Sequence, residues 1–588
     1  QEIYIMFSIA AALTSMVGGL SLAGGAFAGK IFDQFFVRSP AAKGLGIANE
    51  IPRWVVPGPH SEALLRRTFF HPDWLLPAVV LLFGELAGRM NWFGLGYILF
   101  RVTSDYERLP FPFAAIQAQG STALAEASSK EDTWRWRTFA IGAMIGLVFG
   151  VFYVGIPTVT GAIMTKPLQL LPIPWVDLTR NTESILPATP TGFVTDLGSI
   201  LSGFVVPFWA VMGSFLMACA TFVINPWLYR HGYLQRWKPG MGTIETNFQN
   251  SIDFYLSLGI GVALAVAAIG IYTTVYTALG ASRQQRRDEM KAAGEKPRSF
   301  WQVPEGRGDT PAWFWWCLGV WLLSTIGYIA LCGIFVPKFP LIWVTFFGLI
   351  FTPLNSYIDA RMLGLTGQWV GIPMVKEAVI IFSGYKGVDI WFAPIPNFSH
   401  GGVAMRFRVL EIVGCRFPDI IWAELTIMPI TIFCSLLFWE FIWHLAPIPS
   451  VHYPYAQKMW YLSSLNRGLW MTATLGKRSL FMEAWNRGRM FFGLGFGLVT
   501  YFTLSYFRLP TLLVYGIMRG LGTIPHGIFP ETVGALISQF YFIPRFGARR
   551  WKQYATVLSA GYGCGMGLIG MGTVALAMIT KSVSTMPY

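Results

Sequence analysis

Charged side chains are scarce in this sequence. Only 13% of its 588 residues are Asp, Glu, Lys or Arg, while 54% are hydrophobic. A soluble domain carries roughly 25% charged residues, so most of the surface of this protein must face something other than water. Apolar runs long enough to cross a bilayer as helices recur along the chain, and alternating strands of the barrel type are absent. The composition therefore predicts an all-α polytopic membrane protein.

Cysteine and histidine are also rare, and neither is spaced as ligands are. The six cysteines are scattered, mostly inside apolar runs, which favours small buried hydrophobes over disulfides or metal ligands. Only His444 and His526 touch apolar segments, and they share no ligand spacing, so we expect no metal and no other cofactor. No HExxH, GxSxG, CxxC or phosphate-cradling loop occurs, so neither an enzyme nor an ATP-driven pump is expected.

The formal net charge of +14 indicates contact with anionic lipid headgroups, not with nucleic acid. The most polar linker, Arg283–Asp309, carries seven Lys or Arg. We therefore expect the 281–310 loop to be cytoplasmic and the protein to lie in the cell membrane. No cleavable signal peptide is recognisable. The chain starts at Gln1, almost directly in an apolar run, so residues upstream are expected to be missing.

Eleven segments have the apolar length that a membrane crossing requires. They are Ile3–Phe27, Trp74–Phe100, Thr138–Met164, Phe204–Tyr229, Ser251–Leu279, Ala312–Val336, Leu341–Ile358, Phe417–Leu445, Met490–Phe507, Leu512–Ile537 (with a break) and Tyr554–Ile579. Between them lie apolar pieces too short or too rich in Pro and Gly to cross cleanly. These are Leu109–Ala127, Leu168–Trp175, Gly192–Leu201 and Trp369–Ser383. Irregular backbone at membrane depth survives only inside protein or along a cavity, so these pieces indicate a path through the molecule.

The two sides of the basic linker resemble each other. "LSLGIG" at Leu256–Gly261 and "LSAGYG" at Leu558–Gly563 each follow a proline and basic turn and continue as a Gly-rich helix. The same chain order in both halves predicts a parallel duplication with broken or re-entrant helices at its centre. We expect a first transmembrane half over 1–280, the linker over 281–310 and a second half over 311–588. Chance similarity among Gly-rich helices is the alternative.

The sequence further resembles the oligopeptide transporter family, which includes the metal-chelate carriers called yellow stripe-like. "ERLPFPFAAIQAQ" at Glu107–Gln119 is similar to its "EKLPFPEG" segment, and "RMLGLTGQWVGIP" at Arg361–Pro373 to its "RxxGETGxNP" break. The resemblance implies a secondary transporter of two related halves that moves small peptides or peptide-like metal chelates with protons. Phe113, Ala114 and Leu365 depart from the family pattern, which suggests a divergent prokaryotic branch.

The "LPFP" segment is the first candidate for substrate binding. Its two prolines prevent a continuous helix, and a short helix beginning near Phe113 would turn its amide end toward a carboxylate, which peptides and such chelates carry. The predicted binding residues are Pro110, Pro112, Gln117, Gln119, Ser121, Thr122, Thr366 and Gln368. The alternative is a packing element whose polar groups bond neighbouring helices.

Carboxylates inside apolar runs are costly in lipid, so each is a functional candidate. Glu424 has no cation within one turn of its own helix and is our first choice for a proton-coupling group, because a buried carboxylate can load and release a proton. Glu531 in the broken helix is the second choice, followed by Glu377 and Asp359 beside the second break. A hydrogen bond to a neighbouring backbone or serine is the alternative for each.

Glu85 and Arg89, four residues apart on one helix, predict a structural ion pair. Two functions of different classes remain open. The first is a proton-coupled symporter of peptides or chelates. The second is a transport-inactive accessory subunit on the same scaffold, motivated by Leu365 in the place of an acidic residue. A homo-oligomer is compatible with either function, and the long loop over Gly29–Asp73 is expected to be a lid or a packing cover.

Overall fold

The computed structural model is helical throughout. About 73% of it is helix, and the strands among the described residues form one two-stranded sheet. The predicted helical class is therefore confirmed. The structure describes residues 25–109, 111, 114, 118, 133–164, 167–279, 301–366, 374–450, 453–476, 479–510 and 512–583. The first predicted crossing, Ile3–Phe27, lies almost wholly outside these residues.

The first part of the chain holds eleven described helices and both strands. They are α1 (Ala28–Arg38), α2 (Pro40–Gly44), α3 (Glu62–Arg66), α4 (Leu75–Phe100), α5 (Thr133–Gly150), α6 (Ile156–Ile163), β1 (Trp175–Asp177), α7 (Thr179–Thr182), β2 (Gly192–Val194), α8 (Gly198–Val205), α9 (Phe208–Arg230), α10 (Thr243–Asn250) and α11 (Leu256–Leu279). The strands β1 and β2 are antiparallel, with Val176 opposite Phe193.

Thirteen described helices follow. They are α12 (Ala312–Phe335), α13 (Leu341–Phe346), α14 (Thr352–Thr366), α15 (Val375–Phe382), α16 (Gly401–Val413), α17 (Phe417–Leu445), α18 (Pro454–Thr472), α19 (Leu480–Ala484), α20 (Arg487–Tyr506), α21 (Leu512–Gly520), α22 (Ile528–Ile537), α23 (Ile543–Phe546) and α24 (Ala548–Val583). Single π-helical turns continue several of them, as at Arg101–Tyr106 after α4 and Phe347–Phe351 between α13 and α14.

Six described helices are long and apolar enough to cross a membrane. They are Trp136–Gly161, Phe208–Arg230, Thr243–Ile269, Ala312–Phe335, Leu341–Gly364 and Phe417–Leu445. All six fall on predicted crossings, because a span is defined by local length and hydropathy. The predicted crossings at α4, α20 and α24 are single helices that do not meet the same criterion, and Leu512–Ile537 is divided, as predicted, into α21 and α22.

The described chain divides into two compact units. The first takes residues within 1–125, 267–445 and 470–479, and the second takes those within 126–266, 446–469 and 480–588. The units therefore interleave along the sequence and do not coincide with the sequential halves predicted from the repeat, which stay a prediction.

In the first unit, α4 and α12 run antiparallel at close range. A Cβ atom at Gly94 would lie 2.6 Å from the carbonyl oxygen of Cys317 and 2.9 Å from Cβ of Trp321. Farther along the pair, the Tyr328 hydroxyl donates to the carbonyl oxygen of Gly84 at 3.1 Å. The missing side chain at Gly94 lets the two backbones approach, so polar groups of α4 reach α12 directly.

An aromatic cluster joins α4, α16 and α17. The ring of Phe407 lies 5.6 Å from Phe93, 5.8 Å from Tyr97 and 5.2 Å from Phe417, mostly edge to face. Phe407 and Phe417 are 1% and 0% exposed. Edge-to-face pairs each contribute about 0.5–1.5 kcal/mol beyond the buried area, so this cluster fixes the three helices that carry the charged residues described below.

The N-terminal segment that contains α1 to α3 packs on the ends of α12 and α17. Trp54 stacks on Phe335 with centroids 4.7 Å apart, and Phe69 lies 5.2 Å from Trp443. Glu440 accepts hydrogen bonds of 2.6 Å from the hydroxyl of Thr68 and from the backbone N–H of Phe69. This part of the predicted lid or cover is therefore anchored to the first unit.

In the second unit, four helix pairs meet through glycines. Each helix places a glycine where a Cβ atom would overlap the backbone of its partner, and the partner does the same in return. The pairs are α5 with α24 (Gly142 and Gly561), α8 with α22 (Gly203 and Gly534), α9 with α21 (Gly213 and Gly516) and α11 with α20 (Gly261 and Gly493). Small residues at helix contacts allow this close approach, which is typical of membrane helices.

Candidate functional site

The described residues of the two motif segments, Glu107–Gln119 (the first interrupted segment) and Arg361–Pro373 (the second interrupted segment), contact each other in the first unit. Phe111 donates its backbone N–H to the carbonyl oxygen of Gly364 at 2.9 Å. A Cβ atom at Gly364 would lie 2.7 Å from Cδ1 of Leu109 and 3.2 Å from Cζ of Phe111. Leu109 and Phe111 are 2% and 0% exposed. The described end of the first segment therefore rests on the last turns of α14.

Two residues of the first segment have a backbone conformation that is unusual for residues other than glycine. Arg108 has φ 52° and Phe111 has φ 43°, and Met374, just before α15, has φ 63°. Such left-handed residues cost about 1–3 kcal/mol each, persist only where the surroundings hold them, and concentrate at functional sites. Both segments therefore contain strained backbone where they border regular helix.

A charged pair lies beside this contact. Nε of Arg361 is 3.7 Å from Oε2 of Glu107. Tyr357 connects the two, because its hydroxyl donates to Oε1 of Glu107 and accepts a hydrogen bond of 3.0 Å from Nη1 of Arg361. Oε2 of Glu107 and Nε of Arg361 are buried and make no hydrogen bond within the described part of the chain. These are the two atoms that face each other at 3.7 Å, so they form an ion pair and lack only a hydrogen bond.

On α14, three buried polar side chains at helical spacing face the chain that leads into α16: Thr352, Ser356 and Asp359. The Ser399 hydroxyl donates to Oδ2 of Asp359 at 2.7 Å, and the backbone N–H of His400 donates to Oγ of Ser356 at 3.0 Å. Asp359 is 1% exposed. A carboxylate this deeply buried requires such donors, because its desolvation is otherwise very costly.

His400 joins this stripe to α4 and α12. Its Nε2 lies 2.8 Å from Oδ1 of Asn91, and the Asn91 amide donates to the hydroxyls of Ser324 and Thr325 at 3.0 and 3.1 Å. Because the Asn91 oxygen can only accept, the imidazole donates through Nε2. Burial lowers the pKa of His400 to about 4. His400 is not among the residues predicted from the sequence; the polar run "PNFSHGG" between two apolar segments is the signal that marks it.

Glu424 lies between two arginines from other helices. Arg89 of α4 bonds its Oε2, and Nη2 of Arg406 on α16 donates to Oε1 at 3.0 Å. The guanidinium of Arg406 also covers the ring of Trp92 at 4.7 Å. Glu424 is isolated from cations along its own helix, as the sequence indicates, but the cations come from elements distant in sequence. The structure thus differs from the predicted isolation of this carboxylate.

The same arrangement changes the predicted pair of Glu85 and Arg89. Arg89 forms its salt bridge with Glu424, and none of the salt bridges among the described residues joins Glu85 to Arg89. Glu85 interacts with Arg89 only electrostatically at longer range. The spacing of four residues places both side chains on one face of α4, but the carboxylate of α17 is the closer partner.

The remaining predicted carboxylates have different surroundings. Glu531, 3% exposed in the second unit, accepts from Nη1 of Arg519 at 2.9 Å. Glu377 is half-buried on α15, directly after the second interrupted segment. Of the four predicted proton-coupling residues, Glu424 and Glu531 form ion pairs with arginine, and Asp359 accepts a hydrogen bond from a serine hydroxyl.

The end of the basic linker is fixed by a dense ionic cluster. Arg307 donates to both oxygens of Asp105 at 2.9 Å, to Asp309 at 3.0 Å and to Glu411 at 3.1 Å. Its guanidinium also lies 5.2 Å from the ring centre of Phe100. Arg307 is 5% exposed. Because this charge is fully compensated, the cluster holds the start of α12 against α4 and α16 and offers no free group to a ligand.

The second unit contains a buried polar centre that superficially resembles a hydrolytic site. The Thr243 hydroxyl lies 2.9 Å from Oδ1 of Asp177 and 2.9 Å from Nε2 of His526. Burial raises the pKa of Asp177, but hydrogen bonds from Thr243 and Thr179 outweigh it and leave the pKa below its usual value. Thr243 and His526 are both 0% exposed, so no substrate reaches the hydroxyl. We assign this centre to the packing of β1, α10 and the turn before α22.

Most of the predicted substrate-binding residues lie outside the described residues. This applies to Pro110, Pro112, Gln117, Gln119, Ser121, Thr122 and Gln368, while Thr366 is the last residue of α14. Within the described chain, no group of three or more His, Cys, Asp or Glu residues is arranged to hold a metal ion.

No model of a known protein family matches the chain, and no curated protein sequence matches it. The interpretation of the site therefore depends on its own geometry.

Proposed function

We propose that the protein is a secondary active transporter related to the oligopeptide transporter family, and that it carries small peptides or peptide-like metal chelates together with protons. The observation that carries this proposal is the contact between the two interrupted segments through Phe111 and Gly364. Irregular, strained backbone buried between helices of membrane-spanning length is typical of transporter binding sites.

Glu107 and Arg361 suit the chemistry of such a substrate. A peptide carries a carboxylate and an ammonium group, and the two side chains present one charge of each sign beside the segment contact. Each is 13% exposed, and the two atoms that face each other in the ion pair make no hydrogen bond within the described residues, so a substrate would bind by replacing this ion pair with its own two charges. Arg361 would bind the carboxylate and Glu107 the ammonium group, while the polar side chains from Gln117 to Thr122 would bind the peptide amides.

Asp359 is our candidate for the proton carrier because of its position. It is buried, lies two residues before Arg361 on α14 and accepts a hydrogen bond from the hydroxyl of Ser399. Protonation there would change the charge next to the substrate pair.

The glycine pairs of the second unit support a duplicated plan. The helices that make these contacts can be matched across the linker in chain order: α5 with α20, α8 with α21, α9 with α22 and α11 with α24. Under this correspondence the pair α5 and α24 becomes α20 and α11, and the pair α8 and α22 becomes α21 and α9. The same correspondence carries glycine onto glycine: Gly142 onto Gly493, Gly561 onto Gly261, Gly203 onto Gly516 and Gly534 onto Gly213. The repeat of "LSLGIG" and "LSAGYG" also relates α11 to α24, in a register that aligns Gly561 with Gly259, two residues from Gly261. A parallel repeat of this kind is common among transporters.

The test is uptake of labelled di- to tetrapeptides, free and as metal chelates, into proteoliposomes that contain the full chain under an imposed proton gradient. We expect gradient-dependent uptake by the wild type, a higher half-saturation concentration in Arg361→Gln, and loss of gradient dependence in Asp359→Asn. Glu305→Gln, at an exposed position of the linker, is the matched control. Absence of gradient-driven uptake of every substrate by the wild type would refute the proposal.

An accessory subunit without transport activity is the second candidate. The observation that favours it is the position of Glu424 between Arg89 and Arg406, because these ion pairs give the carboxylate a structural role in joining three helices. This candidate predicts stable co-purification of the chain with a larger assembly and no uptake by the chain alone. Uptake in the reconstituted system above would eliminate it.

A further inference from the structure

Two polar pockets lie outside the proposed transport site, and their charges differ. The pocket in the second unit has a volume of about 550 Å³, and its arginines are paired: Arg236 contacts Asp253 at 3.2 Å and Glu483 at 2.7 Å. The pocket in the first unit has a volume of about 410 Å³, and no acidic residue is among its described lining residues. Only the pocket in the first unit has a net positive charge that can attract an anionic ligand.

Arg38 and Lys43 supply the charge of the pocket in the first unit, together with the neutral side chains of Asn49 and His60. Arg38 donates to the carbonyl oxygens of Leu64 at 3.2 Å and Gln34 at 3.4 Å, and to the amide oxygen of Gln34. All of these acceptors are uncharged. Lys43 is exposed, and its side chain makes no hydrogen bond or ion pair within the described chain.

A second arginine increases this positive potential. Arg67 lies close enough to Arg38 that its charge, together with burial, lowers the pKa of Arg38. Arg67 has no ion pair of its own among the described residues, and its φ of 56° holds it at the end of α3. Like charges kept together without a counter-ion repel each other, and a bound anion relieves that repulsion.

The frame around the pocket is rigid. Ser39 caps α2 by accepting from the N–H of Ala42 at 3.1 Å, and Ile47, beside the lining residues, is 0% exposed. The same N-terminal segment packs on the ends of α12 and α17, where lipid headgroups meet membrane helices. The guanidinium of Arg38 is therefore held in place before a ligand arrives, which reduces the entropic cost of binding.

We propose that this pocket binds a phosphate-type oxyanion, with Arg38 and Lys43 as its cationic ligands and Asn49 as a neutral donor. Guanidinium matches the geometry of phosphate oxygens and ammonium adds a point charge. The volume of about 410 Å³ exceeds a bare phosphate and suits a phosphate ester, either a lipid headgroup or a phosphorylated solute. This site is independent of the proposed transport function.

The experiment is thermal unfolding of the full chain in detergent during titration with inorganic phosphate or glycerol 3-phosphate, against chloride at equal ionic strength. We expect a saturable rise in Tm with the phosphates, because a ligand that binds only the folded state stabilises it. Lys43→Gln should weaken the apparent Kd about tenfold, as expected for loss of one charge-assisted contact. Arg53→Gln, an exposed cation of the same segment, should leave it unchanged.

Arg38→Gln should weaken binding further. Arg38 also connects α1 to Leu64, so this variant can fail to fold; in that case the result for Lys43→Gln, at an exposed position, decides the test.

Nanodiscs identify the source of the anion. If the effect of phosphate on Tm is lost in phosphatidylglycerol nanodiscs but kept in phosphatidylcholine nanodiscs, the natural ligand is a lipid headgroup. Persistence of the effect in both identifies a soluble phosphate. A rise in Tm no larger than with chloride, or equal in the wild type and Lys43→Gln, overturns the proposal.

Discussion

Phe111 and Gly364 are joined by a backbone hydrogen bond of 2.9 Å although 253 positions (364 − 111) separate them in the sequence. Each lies within a segment that the sequence marks as an interrupted helix. The bond uses a carbonyl at the last turn of α14, where carbonyl groups have no partner within the helix. This contact is the most direct structural support for a shared site built from both segments.

Gly364→Ala should destabilise the protein by about 1–3 kcal/mol, the usual cost of inserting an atom into a packed core. Its Cβ atom would lie 2.7 and 2.8 Å from two atoms of Leu109, which is itself buried. Thermal unfolding in detergent measures the effect. Gly84→Ala on α4 has open space around the new atom and should be neutral or stabilise by up to about 1 kcal/mol. Equal effects of the two substitutions would contradict the tight contact.

Glu424→Gln should lower stability by about 1–3 kcal/mol, because it leaves two guanidinium groups without their charged partner. The three side chains are 20% to 29% exposed, so the cost stays below that of a fully buried pair. Asp419→Asn, exposed on the same helix, is the control. If Glu424 instead couples proton movement, the variant would lose gradient-driven uptake even where its Tm shows that it is still folded. Our choice of Asp359 would then be wrong.

Gly561→Leu should separate α24 from α5, because its side chain would overlap the backbone of Phe139. Gly563→Leu on the same helix meets nothing within 4 Å and should be tolerated. The contrast is measured as the yield of monodisperse protein after detergent extraction and as Tm. Similar losses for both variants would show that helix propensity, and not the glycine contact, decides the outcome.

Stability should fall as pH decreases from about 6.5 to about 4, in part through His400. Its pKa is about 4 in the folded protein, against about 6.5 in the unfolded chain. Between these pH values the unfolded state binds a proton that the folded state does not, so acid favours unfolding. Above about pH 6.5 neither state binds this proton, and the full stability is present. His400→Gln should flatten the pH dependence of Tm in this window, whereas His60→Gln, at an exposed loop position, should not.

Local features of the fold followed from the sequence. The predicted crossing Phe417–Leu445 coincides with α17 at both ends, and the predicted break within Leu512–Ile537 separates α21 from α22. These features depend on hydropathy, length and the placement of Pro and Gly, which are read within about 20 residues. The interleaving of the two units depends on contacts between distant segments and has no local signal.

The site was predictable only in outline. Sequence patterns selected the two interrupted segments and Asp359, but not the partners that decide what each group can do. Arg89 and Arg406 lie on helices remote from Glu424, and His400 reaches Asn91 across 309 positions. Such pairings arise when helices assemble, so one sequence without the fold shows each charge but not its counter-charge.

The bond between Arg89 and Glu424 also has a consequence for biogenesis. The guanidinium is synthesised 335 residues before the carboxylate that neutralises it. When α4 leaves the ribosome, Arg89 has Glu85 on the same helix as a nearby acidic residue, but Glu424 does not yet exist. The salt bridge between Arg89 and Glu424, and with it the final docking of α4 on α17, must therefore wait for translation of α17, which makes the order of synthesis part of how this protein is assembled.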